Sequence, residues 1–405
     1  MFALLSNLLF YIIPFLLVVG VVVTVHEFGH FIAAKALGTR IDQFSIGFGR
    51  AIARWKDKSG VEWRLGCLPI GGYVRFAGDD NAASVPDQDD LQALRREVLA
   101  HEGPAALSGY YHFKPLWQRA VISAAGPLAN FLLSIAIFSA MLLALGEPVV
   151  AARVGAVFPN TPAARAGFQS GDLIIQADGK PVTSFETVKQ LVILRTGVPV
   201  TFVVQRGSQQ LALTAAPVRG PVPDAVGHVH QLGTIGIRFA DLPKDRKVIH
   251  YSLLGALGAG VARTADVVQT TVFYIGRMVT GHESADQLSG PLGMAQISGD
   301  LAKQTADASV DLGSFAINAL LTALLLVANI SVGIGFLNLM PIPVLDGGHL
   351  LFYAYEAVAR RPLAAKVQAV GYRVGLALVL GLMLFATVND LQRLRVFNFI
   401  GGLFS

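Results

Sequence analysis

The sequence predicts an α-helical polytopic membrane protein with four transmembrane helices, a membrane-associated β-hairpin or small sheet, and an inserted α+β domain. Three observations predict it. Hydrophobic residues make up 53% of the 405 residues and charged residues only 15%, against roughly 25% charged in ordinary soluble domains. Residues 1–25, 120–146, 312–345 and 374–389 contain no Asp, Glu, Lys or Arg. Between the second and third of these stretches, residues 149–218 switch to short alternating runs separated by Gly, Pro and Asp turns, the pattern of a soluble module. The mean hydropathy of +0.55 agrees. An apolar chain without long charge runs is not disordered, and a chain whose only cysteine is Cys67 is not a disulfide scaffold. The net charge of +5 is explained by basic loops facing the cytoplasm, so no nucleic-acid partner is expected.

A span needs about 20 apolar residues to cross roughly 30 Å of hydrocarbon. The four stretches give spans at 1–37, 119–146, 312–350 and 367–390, the last taking in Arg373, whose long stem can snorkel. The first lacks the basic start and short apolar core of a cleaved signal peptide. Residues 248–279 are ambiguous. Arg263, Asp266 and Arg277 interrupt an apolar pattern that recurs every three or four positions, which fits an amphipathic helix as well as a span. Arg40, Arg50, Arg54, Lys56, Lys58, Arg64 and Arg75 cluster between the first two spans, and Arg360, Arg361 and Lys366 between the last two. The positive-inside rule puts both loops, 38–118 and 351–366, in the cytoplasm. Both termini, including the tail 391–405, and the long segment 147–311 then lie on the opposite side.

Residues 41–78 alternate as strands around a turn at 56–60 and sit beside the first span, so they are expected to dip toward the bilayer. Residues 79–111 read as a polar loop with a short helix near 88–100. In the inserted domain, strands are expected at 154–157, 173–177 and 200–205, a capped helical turn at 161–167 and a helix at 184–194, with 219–311 as linker and amphipathic helices. The order of these elements and the residues Gly171, Asp172 and Gly179 resemble a bacterial PDZ domain. The same three residues also serve simply as turn formers. PDZ domains bind extended peptides by strand addition, so the resemblance implies a peptide or substrate ectodomain as a partner of this module.

The chemistry lies at the end of the first span, in His26-Glu27-Phe28-Gly29-His30. On a helix, positions i and i+4 share a face, so both imidazoles reach one metal, and Glu27 projects beside them. A carboxylate at membrane depth is costly without a role. Catalytic zinc usually takes three protein ligands and keeps one position open, so a third ligand is expected at similar depth. Asp346 is the only acid between Asp311 and Glu356, and it follows Pro341 and Pro343, which break the helix. It is the favoured third ligand, with His349 its rival. Zinc is the expected metal, although other divalent ions suit the same ligands.

H-E-x-x-H in the first span, Asn338-Leu339-Met340-Pro341-Ile342-Pro343 leading to Leu345-Asp346-Gly347-Gly348 in a later one, and an intervening PDZ-like module resemble the site-2 protease family of intramembrane zinc metalloproteases. The RseP-like branch is most similar, and Gly126-Pro127-Leu128-Ala129-Asn130-Phe131 and Ser289-Gly290-Pro291-Leu292-Gly293 look like that branch too. The resemblance covers nearly the whole chain but departs in one respect: the branch's better-known pattern has two PDZ domains, and this chain has room for one. It implies that His26, His30 and Asp346 hold Zn2+ and that Glu27 is the catalytic base. It also implies that the hairpin, through Gly47, Gly49, Gly72 and Tyr73, and Asn338 contact the substrate. Asn338 equally suits a helix-ending cap, and Asn130 suits either substrate contact or packing between helices. The implied substrates are single-pass membrane proteins already shortened outside the cytoplasm, such as an anti-sigma factor, or remnant signal peptides. The implied location is the bacterial inner membrane. Two rival readings are a non-catalytic membrane adaptor whose PDZ recruits partners around a structural metal, and a metal transporter. Glu27 argues against the first, and the scarcity of polar residues in the second and fourth spans against the second.

Overall fold

The computed structural model describes residues 2–79, 88–223, 229–240, 242–281 and 289–393. Most of the expected tail 391–405 and residues 80–87 of the loop expected at 79–111 lie outside the described residues, as do residues 282–288. The chain opens with α1 (Phe2–Ala36), β1 (Ile41–Lys56), β2 (Glu62–Phe76), α2 (Gln88–His101) and α3 (Leu116–Leu145). There follow β3 (Glu147–Val150), β4 (Val154–Val157), α4 (Pro162–Ala166), β5 (Leu173–Ala177), β6 (Lys180–Pro181), α5 (Phe185–Leu194), β7 (Val200–Arg206) and β8 (Gln209–Ala215). Four further strands, β9 (Val218–Pro223), β10 (Val229–Thr234), β11 (Ile237–Phe239) and β12 (Arg246–Ile249), precede α6 (Leu253–Val279) and α7 (Pro291–Asp307). The chain then runs through α8 (Leu312–Asn338), α9 (Asp346–Ala359) and α10 (Ala365–Arg393). Two compact units result, Met1–Ser139 with Leu257–Ser405, and Ala140–Ala256.

Among the described residues, four helices are long and apolar enough to cross a membrane: Tyr11–Ala36 of α1, all of α3, all of α8, and Ala365–Gln392 of α10. Helix α6 is not among them. The stretch expected as a single span over 312–350 is two helices. Pro341 and Pro343 lack the N–H that a continuing helix needs, so α8 stops, the chain turns, and α9 restarts at Asp346. Helix α9 continues to Ala359, through residues expected only as a loop. Its Leu, Ala and Glu content favours helix.

The expected hairpin is present. Strands β1 and β2 pair antiparallel, with several register shifts that set residues 43–46 alongside both 72–75 and 62–65. It is fastened to α1 by aromatic packing. Phe44 is buried, with its ring centroid 5.3 Å from Phe31 and 4.7 Å from Trp63. Burying a side chain of this size stabilises by about 1.5–3 kcal/mol.

The second unit is an α+β module. A four-stranded sheet runs in the order β6-β5-β7-β8, and three strand pairs, β4 with β11, β3 with β12 and β9 with β10, complete it. Thr161 accepts the N3 backbone N–H of α4, the expected cap, and Ser184 accepts that of α5. The core gathers Val154, Ile174, Val188, Val200, Phe202, Val204 and Ile235. The expected boundary at 218 is therefore too early. β11 pairs with β4, β12 pairs with β3, and Ile235 enters the core. These strands are short, and their partners lie far back in the chain, so local pattern does not reveal them.

Asp172 acts here as a structural residue. It takes Nε and Nη2 of Arg206 at 2.7 Å each and the Gln169 N–H at 2.9 Å. Burial opposes its charge, but the guanidinium and the backbone N–H outweigh that and hold its carboxyl below the usual range. Arg153 does the same for Asp245, donating Nε at 2.7 Å and Nη2 at 3.0 Å and lowering its pKa.

Candidate metal centre

Helix α1 carries His26 and His30 one turn apart, and the break at Pro341 and Pro343 brings the first turn of α9 to them. The three side chains meet. His26 Nε2 lies 3.0 Å from Asp346 Oδ2, His30 Nε2 lies 3.5 Å from the same oxygen, and the two Nε2 atoms are 3.3 Å apart. Among the described residues, these are the three His, Cys, Asp or Glu side chains grouped closely enough to hold a metal ion.

The residues fit zinc. A tetrahedral ion with ligand bonds of about 2.0–2.1 Å sets its ligand atoms about 3.3 Å apart, which the three observed separations bracket. With both Nε2 lone pairs turned inward, these three acceptor atoms would repel one another inside an apolar helix bundle unless a cation lay among them. The space is kept open by α3. A Cβ placed on Gly126 would sit 2.3 Å from His30 Nε2 and 2.8 Å from His26 Nε2. A glycine at that position is thus a requirement of the imidazole pair and has nothing to do with backbone freedom.

Each candidate ligand is oriented from behind. His30 Nδ1 is 2.8 Å from the Ile122 carbonyl, and His26 Nδ1 is 3.2 Å from the Asn130 side-chain amide, both on α3. Asp346 is set by α9, whose close turn needs two glycines. A Cβ at Gly347 would be 2.3 Å from the Leu339 carbonyl oxygen, and one at Gly348 would be 2.2 Å from that of Ile342. Further along α9, Glu356 accepts from Arg119 Nη2 at 2.8 Å and Tyr353 meets the Tyr111 hydroxyl at 2.8 Å. These contacts tie the helix carrying Asp346 to the start of α3 and to the turn just before it.

Glu27 lies within electrostatic reach of all three, and the Val74 backbone N–H of β2 hydrogen-bonds to it. A Cβ on Gly72 would come within 3.2 Å of Glu27 Cγ and 2.7 Å of the Ser45 carbonyl oxygen. The hairpin therefore packs directly onto the carboxylate side chain, and Gly72 is the residue that permits it.

The other expected residues lie elsewhere. His349 stands apart from the cluster, with its Nδ1 3.3 Å from the Tyr372 hydroxyl. Asn338 is the last residue of α8 and donates Nδ2 to the Ile334 carbonyl at 3.0 Å. Gly47 and Gly49 adopt φ of +82° and +85° inside β1, where a Cβ would strike the Leu68 carbonyl or the Cys67 sulfur. Tyr73 shares its hydroxyl with Arg64 and Gln43 on the hairpin. The sequence reading missed the Ile122 carbonyl and the need for Gly126. A backbone carbonyl leaves no residue signature, whereas Gly126 stood in a motif noticed only by resemblance.

Comparison with known proteins places the site in context. A family model described as peptidase family M50 matches residues 14–382. Metalloprotease MmpA of Caulobacter vibrioides is 47% identical over 97% of this chain and 98% of its own length. A protein of Agrobacterium fabrum named as a zinc metalloprotease is 42% identical over 95% of this chain and 96% of its own. Among solved structures, the PDZ domain of an SdrC-like protein of Listeria monocytogenes matches with 23% identity and a TM-score of 0.18, covering 22% of this chain and 86% of that one.

Proposed function

The chain belongs to peptidase family M50, and from that premise we propose that it is an intramembrane zinc metalloprotease cutting peptide bonds within or near transmembrane segments of single-pass membrane proteins. The observation that carries this reading is the convergence of His26 Nε2, His30 Nε2 and Asp346 Oδ2 beside Glu27 on an apolar helix.

His26, His30 and Asp346 would hold the zinc ion. Bound there, it lowers the pKa of a water toward about 7 and polarises the scissile carbonyl. Glu27 takes the proton of the attacking water on its carboxylate and returns it to the leaving amine. Gly72 and the Val74 N–H keep that carboxylate in place. A substrate helix hides its carbonyls in its own hydrogen bonds, so it must unwind before attack. The β1–β2 hairpin offers strand pairing to the unwound segment, satisfying groups that lipid cannot. On this reading Gly47, Gly49 and Tyr73 act through the shape of the hairpin, and Asn338 acts at the end of α8 near the cut.

The substrate class follows from the family resemblance: anti-sigma-factor-like proteins after a first cut outside the cytoplasm, or remnant signal peptides. The module over 140–256 is read as a PDZ domain, supported by its order of capped helices, turns and strands. It would receive a peptide or the shortened ectodomain. The basic loops support a multi-pass protein of the bacterial inner membrane with this module and both termini outside the cytoplasm.

The test uses purified protein in detergent with a tagged single-span substrate. Wild type and Glu27→Gln should bind zinc equally, and only wild type should cut. Equal cutting by both removes Glu27 as the base, and failure of either to retain zinc removes the metal reading.

A further inference from the structure

Zinc binding through Nε2 requires a lone pair there, and a neutral imidazole has a single N–H, which must then sit on Nδ1. For His30 the requirement is met by the backbone. The Ile122 carbonyl at 2.8 Å can only accept, so Nδ1 carries the hydrogen. For His26 the neighbour of Nδ1 is the Asn130 carboxamide at 3.2 Å. We propose that Asn130 is the positioning residue for His26, with its side-chain carbonyl accepting the Nδ1–H and so fixing the tautomer that binds metal.

A carboxamide can offer either end by a half-turn about its last bond. With Nδ2 facing the ring, His26 Nδ1 accepts, the ring hydrogen moves to Nε2, and no lone pair remains for a metal. Asn130 Oδ1 is then buried without a hydrogen-bond partner. With Oδ1 facing the ring, Nδ1–H donates and Nε2 is free, and the amide nitrogen becomes the stranded atom. Among the described residues, one amide atom lacks a partner either way, so hydrogen bonding does not decide between the two orientations. The bond from Nε2 to the metal does.

Asn130 cannot leave this position. It is 0% exposed, its backbone carbonyl accepts from Ser331 Oγ at 3.0 Å, and Gly335 of α8 lets that helix approach its Cβ. It lies behind the ring, on the Nδ1 side, away from the ligand atoms. An apolar residue would fill the site without the cost of burying an amide inside a span, so packing alone does not account for an asparagine here.

The inference rests on the metal-site reading above, and the experiment separates the two. Full-length wild type, Asn130→Asp and Asn130→Leu in detergent are titrated with zinc against a chelator, and the visible spectrum of each with Co2+ is recorded. Asn130→Leu should bind zinc about 10–100-fold more weakly with an altered Co2+ spectrum. Asn130→Asp, which keeps an acceptor, should return affinity to within a few-fold of wild type and restore the spectrum. Where Asn130→Leu does not yield folded protein, Asn130→Ser serves the same arm, being too short to reach the ring. Unchanged affinity without the amide overturns the proposal, as does an Asn130→Asp variant as weak as the Leu or Ser one, which marks a packing role. Wild type that takes up no zinc overturns the metal reading itself and this inference with it.

Discussion

The metal centre and the 140–256 module are stabilised in opposite ways. The centre depends on close approach. Gly126, Gly72, Gly347 and Gly348 each stand where one added carbon would collide with an imidazole nitrogen, a backbone oxygen or the Glu27 side chain. The module depends on an apolar core with two buried carboxylates clamped by arginines at its edges. Adding a methyl group therefore threatens the first region, and removing methyl groups threatens the second. Chemistry and stability are to that extent written in different residues.

Four experiments test this contrast. The largest effect is expected from Gly126→Val, whose side chain would occupy the space of both Nε2 atoms. Zinc content measured by elemental analysis should fall to background while hydrogen exchange in the module is unchanged. Retained zinc would show that α3 can move aside. Next is Phe202→Ala at the module's core, which should cost about 3–5 kcal/mol of local stability. Hydrogen exchange should report it across β5, β7 and β8, with zinc content intact. The third is Gly72→Ala, which should lower kcat by pushing on Glu27 while zinc affinity holds. A loss of zinc there would mean that the hairpin supports the ligands as well as the base.

The smallest effect concerns pH. Asp172 and Asp245 have carboxyl groups held below their ordinary pKa, so the stability they add is present above about pH 4, the unfolded value. It is lost as pH falls through the lower folded values. Exchange protection of the module should therefore be level from neutral pH down to about 4 and weaken below that. An Arg206→Gln variant should lose part of this protection already at neutral pH. A module equally protected on both sides of pH 4 would show that its core alone sustains it.

The two regions also differed in how much their sequence disclosed. The long apolar helices showed themselves because each is a long uncharged run, and the candidate ligands because His26 and His30 lie one helical turn apart and Asp346 is alone among apolar residues. Asp346 is far from the histidines in sequence, yet a lone acid in a long apolar stretch made it visible. The module was legible only where it is local. Thr161, Gly167, Ser184 and the turn at Asp178-Gly179 marked α4, α5 and the β5–β6 turn, but β11 and β12 depend on pairing with strands about a hundred residues or fewer earlier and were read as linker. Between these extremes stands α9. The break before it was clear from Pro341 and Pro343, while its restart at Asp346 and its length were hidden because a short apolar helix after a long one looks like the remainder of it.

The proposed mechanism requires that His26, His30 and Asp346 hold the metal and that His349 does not. The most direct measurement is zinc per chain in purified wild type, His26→Ala, Asp346→Ala and His349→Ala, each checked for folding by thermal melting. Zinc should be equal in wild type and His349→Ala and lost in His26→Ala and Asp346→Ala. Zinc retained by Asp346→Ala and lost by His349→Ala would contradict it.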